Sequence, residues 1–319
     1  MLSQAHRKTL LIGPNPPPHG GISVHVSGVR RRLVAAGVPC AILDTNQIQS
    51  RLRFAMTLSS FAVRGWTMHL HTNGHNPNSW LLALWGAIAG KLRGGSTLTI
   101  HSGMMPGYLR TCPVWRRKLA AVVCGLYSRI ICVGPELRDA VISLGVAAER
   151  TVIAPACLAV ESPAVTLDPH LREWIARHRP LLSTALFFRP EYGFNLLIEA
   201  VVQLRLRHPA LGCLVMGSGE QHAEAVERLH QAGLARDVLL LGDVGHEICL
   251  ALMAQSQVFI RPTLVDGDSL SVREAIALGV PVVASRVGTR PAGTLLFQAG
   301  DFEDMLSKLD FALEASVTA

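Results

Sequence analysis

Residues 265–283 read VDGDSLSVREAIALGVPVV and run from an acidic, glycine-containing loop through a helical segment into a short apolar run. The middle of the stretch has the spacing of an amphipathic helix, and Gly279 and Pro281 mark the turn that follows it. The valine-rich end is typical of a buried strand. A loop, a helix and a strand in this order indicate an α/β domain with a parallel sheet.

The same alternation extends outward over the chain. Strands are predicted at residues 9–13, 40–43, 66–71, 96–101, 129–133, 151–154, 181–188, 213–216, 238–241, 257–261 and 281–284. Helices are predicted around residues 24–33, 195–207, 220–232, 269–278 and 302–314. The alternation is lost over residues 156–180, which are rich in proline and predict a linker. We therefore expect two doubly wound, Rossmann-like domains, residues 1–160 and 161–319, facing each other across a ligand-binding cleft.

Composition and charge limit the possible functions. The 319 residues are 49% hydrophobic and 17% charged, which excludes disorder for most of the chain. The net charge of +7 hides a division: residues 1–155 hold 17 basic and 4 acidic side chains, a net of +13, and residues 156–319 a net of −6. The longest apolar runs are about half of a ~20-residue membrane span, and no secretory signal opens the chain. A cytoplasmic protein is expected.

The first glycine-rich loop is a candidate anion site. Residues 14–21 read PNPPPHGG and connect the first predicted strand to a helix. Backbone N–H groups at the start of a helix have no intrahelical partner, and Gly20 and Gly21 allow a phosphate to come close to them. A plain turn is the alternative interpretation. The segment is not the G-x-G-x-x-G dinucleotide fingerprint.

A second candidate site lies in the 265–283 stretch. Asp268 or Ser269 can cap the helix, which leaves the following backbone amides free for a phosphate. Asp266 in the loop and Glu274 two turns along the helix place carboxylates at two depths of one pocket, an arrangement that suits two polyols such as a sugar and a ribose. An ordinary cap with one solvated helix face is the alternative.

Residues 181–300 resemble the C-terminal domain of family 4 retaining glycosyltransferases of the GT-B fold. The resemblance rests on YGFNLLIEA at 192–200, MGSGE at 216–220, LGDV at 241–244 and the 266–283 block, in the order and spacing of the family. The N-terminal half resembles the same family more faintly, through GG at 20–21, VHV at 24–26, LHT at 70–72, TIH at 99–101 and RIICV at 129–133.

The resemblance implies transfer of a sugar from a UDP- or GDP-linked donor to an acceptor hydroxyl, with retention of configuration and without a metal or other cofactor. The implied catalytic residues are Asp266, His101 and Arg189, where a structural hydrogen bond is the alternative role for His101. The implied donor-binding residues are Gly20, Gly21, Gly217, Asp243, Val244, Gly267, Asp268, Ser269, Leu270, Ser271 and Glu274. Among them Glu274 would hold the ribose hydroxyls, the amides of Leu270 and Ser271 the diphosphate, and the backbone at 243–244 the base.

The chain departs from the family pattern at the diphosphate site. Phe187 and Tyr192 stand where the family usually places an arginine and a lysine, and Arg189 between them is a candidate replacement. Asp266 is one methylene shorter than the family's glutamate, and relatives commonly continue beyond the last predicted helix, whereas this sequence stops at Ala319. These departures favour a rival interpretation, a non-catalytic GT-B subunit that binds a partner glycosyltransferase or a glycan. A nicotinamide oxidoreductase is disfavoured because the glycine fingerprint is missing.

The basic first half predicts a partner. Its cations include Arg30, Arg31, Arg32, Lys91, Arg93, Arg110, Arg116, Arg117 and Lys118. An anionic membrane surface fits the resemblance, because many relatives build polysaccharides such as exopolysaccharide on lipid-linked saccharide acceptors, so we expect a peripheral location at the inner membrane. A solvated basic face is the alternative, and no nucleic-acid-binding signature is found.

Histidines and cysteines predict no metal centre. His69, His71 and His75 lie close in sequence, but no cysteine or carboxylate accompanies them, so a structural or acceptor-side role is favoured. The seven cysteines are scattered and include no C-x-x-C pair, which predicts buried, reduced thiols.

Overall fold

The computed structural model describes residues 8–92, 95–156, 160 and 165–317. The chain divides into two compact units, one formed by Met1–Leu158 with Asp266–Asp268 and the other by Ala159–Val265 with Ser269–Ala319. The boundary predicted after residue 160 adjoins residues outside the described ranges, as do parts of the predicted linker, and it stays a prediction. Arg93 and Cys157 also lie outside the described residues.

The first unit contains a parallel six-stranded sheet in the order β2-β1-β3-β4-β5-β6. Its strands are β1 (Thr9–Gly13), β2 (Cys40–Asp44), β3 (Thr67–Thr72), β4 (Ser96–Ile100), β5 (Arg129–Cys132) and β6 (Thr151–Ile153). Its helices are α1 (Gly21–Ala35), α2 (Arg51–Val63), α3 (Pro77–Leu92), α4 (Met104–Thr111), α5 (Val114–Leu126) and α6 (Pro135–Ile142). Central strands such as β1 and β4 are almost wholly buried, because crossover helices cover both faces of a parallel sheet.

The second unit repeats the architecture with the order β12-β11-β10-β7-β8-β9. Its strands are β7 (Leu181–Ala185), β8 (Gly212–Met216), β9 (Val238–Gly242), β10 (Val258–Arg261), β11 (Val282–Ser285) and β12 (Thr294–Phe297). Its helices are α7 (Pro169–Arg177), α8 (Phe194–Arg207), α9 (His222–Gln231), α10 (His246–Met253), α11 (Leu270–Ala277) and α12 (Phe302–Val317). The two doubly wound α/β units are the fold class predicted from the sequence.

Each sheet has one point at which the strand order reverses. In the first unit β1 lies beside β3, and in the second unit β7 lies beside β10. Ligands of doubly wound sheets bind in the crevice outside the carboxyl ends of the strands at such a point. We therefore expect ligand-binding residues in the loops after β1, β3 and β4 and in those after β7 and β10.

The prediction differs from the structure at two strands. The strand predicted at residues 181–188 ends at Ala185, because beyond it only single backbone bonds continue the pairing, from Leu186 to Met216 at the end of β8 and from Phe188 to Ser218 in the loop after it. The edge strand β12 was not predicted, since its four residues lie within a glycine- and proline-rich stretch. None of the helices in the described ranges combines the length and apolarity needed to cross a membrane.

Candidate functional site

Glu274 is a buried carboxylate on α11, in the loop-helix-strand stretch that decides the fold. Its exposed fraction is 3%, and Nε2 of His246, at the first turn of α10, donates a hydrogen bond to its Oε1 at 2.6 Å. A buried carboxylate requires such a partner. Burial, with the charge of Glu274 adding to it, raises the pKa of the neighbouring Cys249 thiol to about 12. His246 thus belongs to the site, although no sequence motif marked it.

The start of α11 differs in detail from the prediction. Ser269 occupies the N-cap position, but its hydroxyl makes no capping bond and lies 3.2 Å from the hydroxyl of Ser271. The first intrahelical bond runs from the Arg273 amide to the Ser269 carbonyl, so the amides of Leu270 and Ser271 precede the helical ladder. Ser269 therefore does not form the side-chain cap that was predicted for it. The amides of Leu270 and Ser271 lie at the helix start, as predicted.

Asp266, Gly267 and Asp268 cluster with the first unit. The Asp268 carboxylate accepts a hydrogen bond from the amide of Ala156 at 2.7 Å, and a Cβ at Gly267 would lie 2.3 Å from the His101 carbonyl oxygen. The Asp266 carboxylate accepts from the amide of Gly267 at 3.0 Å. Asp268 therefore anchors backbone of the first unit, in addition to any role in capping.

Two arginines flank an aromatic pair at the reversal point of the second sheet. The rings of Phe187 and Tyr192 meet edge to face at 5.8 Å. The Arg189 guanidinium lies 5.9 Å from the Phe187 ring, and that of Arg261, the last residue of β10, lies 5.0 Å from the Tyr192 ring. Guanidinium groups are attracted to aromatic faces at such distances. Positions 187 and 192, where the resemblance implies cations, therefore carry aromatic rings. The guanidinium groups beside these rings belong to Arg189 and Arg261.

Arg261 is held more firmly than Arg189. Only 8% of Arg261 is exposed, and its Nη1 donates to the Ala185 carbonyl at the end of β7 at 2.5 Å. Arg189 is exposed and lies 3.7 Å from a carboxylate oxygen of Glu220. The loops around Arg261 are close: a Cβ at Gly193, whose φ is +72°, would meet the Pro262 carbonyl oxygen at 2.0 Å. Sequence reasoning missed Arg261, whose only signal was a charged residue ending an otherwise apolar strand.

The predicted base-binding loop follows β8 and β9. Gly217 has a φ of +127°, and a Cβ there would lie 1.9 Å from the Leu186 carbonyl oxygen, so the position requires glycine. The Gly217 amide donates to the Gly242 carbonyl at 2.7 Å, which ties the ends of the two strands together. Asp243 is exposed and Val244 half-buried beyond them, and their role in binding the base stays a prediction.

The first glycine loop is only partly available for an anion. Gly20 is the N-cap of α1, and its amide donates to the Ser23 hydroxyl at 2.9 Å. The Gly20 amide is therefore engaged within its own helix start, which corrects its expected role as a phosphate donor. Gly21 is exposed, with open space where a Cβ would stand.

Histidines cluster at the reversal point of the first sheet. His71 in β3 lies with its Nδ1 3.1 Å from Nε2 of His101, the residue after β4, and the two rings are stacked. His25 on α1 packs against both, with ring centroids 5.5 and 5.0 Å away. His69 stacks on His71 and bonds to Thr99, at 2.8 Å. The alternative given for His101, a structural hydrogen bond, is thus present.

Burial determines the charge of this cluster. It lowers the pKa of His25 to about 4, with the charge of Arg32 adding to the effect, and lowers that of His69 to about 4, with His25 adding. Burial and the neighbouring imidazoles hold the pKa values of His71 and His101 well below the ordinary value of 6.5. All four imidazoles are neutral at pH 7.

A known family matches a segment of the chain that lies mostly in the second unit. Residues 179–315 match the model of the family described as glycosyl transferases group 1. The match covers less than half of the chain. Arg189, Arg261 and Glu274 lie inside the matched segment.

Curated relatives of the domain act on different acceptors. The chain is similar to the GDP-mannose-dependent alpha-(1-6)-phosphatidylinositol monomannoside mannosyltransferase of Mycolicibacterium smegmatis, with 31% identity over 40% of this chain and 35% of that protein. It is also similar to the phosphatidylinositol N-acetylglucosaminyltransferase gpi3 subunit of Schizosaccharomyces pombe, with 21% identity over 58% of this chain and 40% of that protein. The chain thus spans well under half the length of these relatives.

Solved structures match nearly the whole chain. Anabaena HepE in complex with UDP and glucose is similar with a TM-score of 0.72 and 18% identity, over 98% of this chain and 91% of that one. Sucrose-phosphate synthase from Thermosynechococcus elongatus matches with a TM-score of 0.72 and 16% identity, over 98% and 91%. At these identities the likeness establishes the fold, which is the predicted GT-B architecture.

Proposed function

We propose that the protein is a retaining glycosyltransferase that transfers a sugar from a UDP- or GDP-linked donor to a lipid-linked saccharide in polysaccharide biosynthesis. In this proposal the second unit holds the nucleotide sugar and the first unit receives the acceptor. The proposal draws on the match to the glycosyl transferases group 1 family. It also draws on two proteins similar to this chain, a GDP-mannose-dependent phosphatidylinositol monomannoside mannosyltransferase and HepE in complex with UDP and glucose.

The observation that carries the proposal is the buried Glu274 on α11, which lies one turn beyond the helix start and not two turns along it as the sequence predicted. The amides of Leu270 and Ser271, at the positive end of the helix dipole, suit a diphosphate, and a carboxylate deeper in the same element suits the hydroxyls of a ribose. His246 orients that carboxylate through its 2.6 Å bond. A nucleoside diphosphate presents both groups.

In the proposed mechanism, cations stabilise the leaving diphosphate as negative charge develops on it. Positive charge fixed in advance at such a position is usually a large part of catalysis. Arg189 fills this role in part, because it shares its charge with Glu220. Arg261 supplies a second guanidinium, held in place by Ala185 and by the Tyr192 ring. Asp266 and His101 are assigned to the transferred sugar.

A surface of the first unit supports the membrane-linked acceptor. Helices α2 and α5 pack on either side of α3, and none of the three carries an acidic residue. They expose the apolar side chains Leu52, Met56, Val63, Leu81, Trp85, Ile88, Leu92, Val114, Trp115 and Val122. Basic residues on the same helices are Arg51, Arg53, Lys91, Arg116, Arg117 and Lys118. We call these residues the α2–α3–α5 face.

The composition of the α2–α3–α5 face suits an anionic bilayer. Trp85 and Trp115 are 48% and 59% exposed, and the Arg116 guanidinium lies 5.0 Å from the Trp115 ring. Helices that lie on a membrane combine apolar and aromatic side chains, which enter the headgroup region, with lysine and arginine, which attract anionic lipid. An enzyme docked in this way would meet an acceptor carried by a lipid.

The experiment that tests the donor site is calorimetric titration of the Glu274→Gln variant with UDP and GDP. Hydrogen bonds to charged groups contribute about 1.5–3 kcal/mol, so we expect affinity for the nucleotide that binds the native protein to fall about 10- to 100-fold. Glu227→Gln, on the exposed side of α9, is the matched control and should bind normally. Unchanged affinity in Glu274→Gln would remove the basis of the assignment.

The rival function, a non-catalytic subunit, is favoured by one observation. Phe187 and Tyr192 carry no charge, and the exposed Arg189 is partly neutralised by Glu220. A panel of UDP- and GDP-sugars, assayed with membrane extract as the acceptor source, separates the two functions. Transfer of labelled sugar supports the enzyme, whereas nucleotide binding without transfer or hydrolysis supports the subunit.

A further inference from the structure

The first unit brings together three histidines that are distant in sequence. His25 comes from α1, His71 from β3 and His101 from the loop after β4. One ring nitrogen from each lies within 4.8 Å of the corresponding nitrogens of the other two. They meet where the strand order of the sheet reverses, which is the usual ligand position in this kind of sheet.

Two nitrogens of this cluster lack a protein partner. Nε2 of His71 and Nδ1 of His25 are buried without a hydrogen bond from any residue that the structure describes, and only 2% of His71 is exposed. Buried polar atoms are normally paired with protein, water or an ion. Nδ1 of His25 therefore has unused lone-pair or N–H capacity beside the other two rings, whereas the unpartnered Nε2 of His71 is a different nitrogen from the Nδ1 that meets His101.

The spacing is compatible with a metal ion as well as with the hydrogen bond between His71 and His101. Zinc binds imidazole nitrogen at about 2.0–2.1 Å, so two nitrogens of a tetrahedral site are separated by about 3.3 Å. The 3.1 Å separation between His71 Nδ1 and His101 Nε2 is close to that value. The third nitrogen has to approach by up to about 1.5 Å from its 4.8 Å limit, and His25 is a half-buried side chain that rotation about χ1 and χ2 can move.

The surroundings fix the rings in a form that can ligate. His69 stacks on His71 at 4.3 Å and is itself held by Thr99, so the plane of the His71 ring is set from behind. Outer partners of this kind orient histidine ligands in metal sites. Three imidazoles without a carboxylate select borderline ions such as Zn²⁺ over Mg²⁺ or Ca²⁺, which prefer oxygen.

We propose that His25, His71 and His101 form a three-histidine zinc site in the first unit, with a fourth coordination position open. The proposal is independent of the nucleotide site in the second unit, but it uses Nε2 of His101 as a ligand and so replaces the sugar contact proposed for that residue. It differs from the histidine set considered from the sequence, because His69 and His75 bond to Thr99 and Ser102 instead.

The test is metal binding by the full chain after removal of metals with a chelator. We expect the native protein to bind one equivalent of Zn²⁺ in calorimetric titration, and to give the intense visible absorption of tetrahedral Co²⁺ when cobalt is used as the probe. His25→Asn and His101→Asn should each lose this equivalent and the cobalt spectrum. His170→Asn, on the exposed surface of α7, is the matched control and should keep both.

The outcome is independent of glycosyl transfer, because neither readout needs a donor or an acceptor. His71→Asn is avoided as the main variant, since the residue is buried and the change can impair folding. Circular dichroism of His25→Asn and His101→Asn checks that both variants are folded. The proposal is overturned if these folded variants bind as much Zn²⁺ as the native protein, or if Co²⁺ keeps the spectrum of the hydrated ion.

Discussion

At the scale of single residues, the chain replaces charged positions by a combination of rings and displaced cations. The resemblance places an arginine and a lysine at 187 and 192, and the structure has Phe187 and Tyr192 with the guanidinium groups of Arg189 and Arg261 beside them. Two guanidinium groups therefore lie beside positions 187 and 192, although neither position carries a cation itself. The charge near these positions can be read only from the folded arrangement and not from aligned positions.

Substitution of Arg261 tests this arrangement. If the guanidinium stabilises the leaving diphosphate, Arg261→Gln should lower kcat about 100- to 1,000-fold, the range found when one fixed transition-state donor is removed. Arg261→Lys should recover part of the rate, because it restores the charge without the planar fork. Steady-state kinetics with the donor found in the nucleotide-sugar panel gives kcat and KM separately.

A purely structural role for Arg261 would give another result. Its loss would lower the thermal unfolding temperature, and kcat per folded molecule would stay unchanged in both Arg261 variants. Arg228→Gln on α9 is the control for removing an arginine of the same unit, and it should retain normal kcat. Differential scanning fluorimetry of all three variants, measured beside the kinetics, separates folding from catalysis.

At the scale of elements, the sequence predicted most strands because their signals are local, and it predicted five of the twelve α-helices in the described ranges. Alternating apolar runs located eleven of the twelve strands in the described ranges, and β12 was missed because it has only four residues at a sheet edge. Long-range pairings carry no such signal. His246 on α10 meets Glu274 on α11, and His25 on α1 meets His101 in the loop after β4, so only the folded chain brings these pairs together.

The two exposed tryptophans of the α2–α3–α5 face should contribute to vesicle binding. Replacing Trp85 and Trp115 by serine removes its two aromatic side chains, and binding to phosphatidylglycerol vesicles should fall about tenfold or more in cosedimentation. Stability should change little, because exposed substitutions usually alter it by under about 0.5 kcal/mol. Phe311→Ser, an exposed aromatic on α12 of the second unit, is the control. Equal binding by the double variant and the native protein would mean that the face does not enter the bilayer.

At the scale of the whole molecule, the net charge of +7 is a poor description of either unit. Residues 1–155 carry +13 and residues 156–319 carry −6, and the positive part includes the α2–α3–α5 face. Each lysine or arginine near an anionic membrane contributes about 1 kcal/mol, within a distance limited by the Debye length. The sequence predicted the sign of this partition, but not that three adjacent helices gather basic and apolar side chains on one surface.

Added salt should therefore weaken vesicle binding, because it screens the positive charges of the first unit. The Debye length falls from about 10 Å at 0.1 M to about 3 Å at 1 M, so binding to phosphatidylglycerol vesicles should decline steadily over that range. Lys91→Glu with Arg117→Glu should reduce binding at low salt and flatten its dependence on salt. Arg172→Glu with Arg236→Glu changes the net charge equally on the exposed surface of the second unit and should leave binding intact. Equal losses in the two double variants would show that net charge, and not the α2–α3–α5 face, controls the attraction.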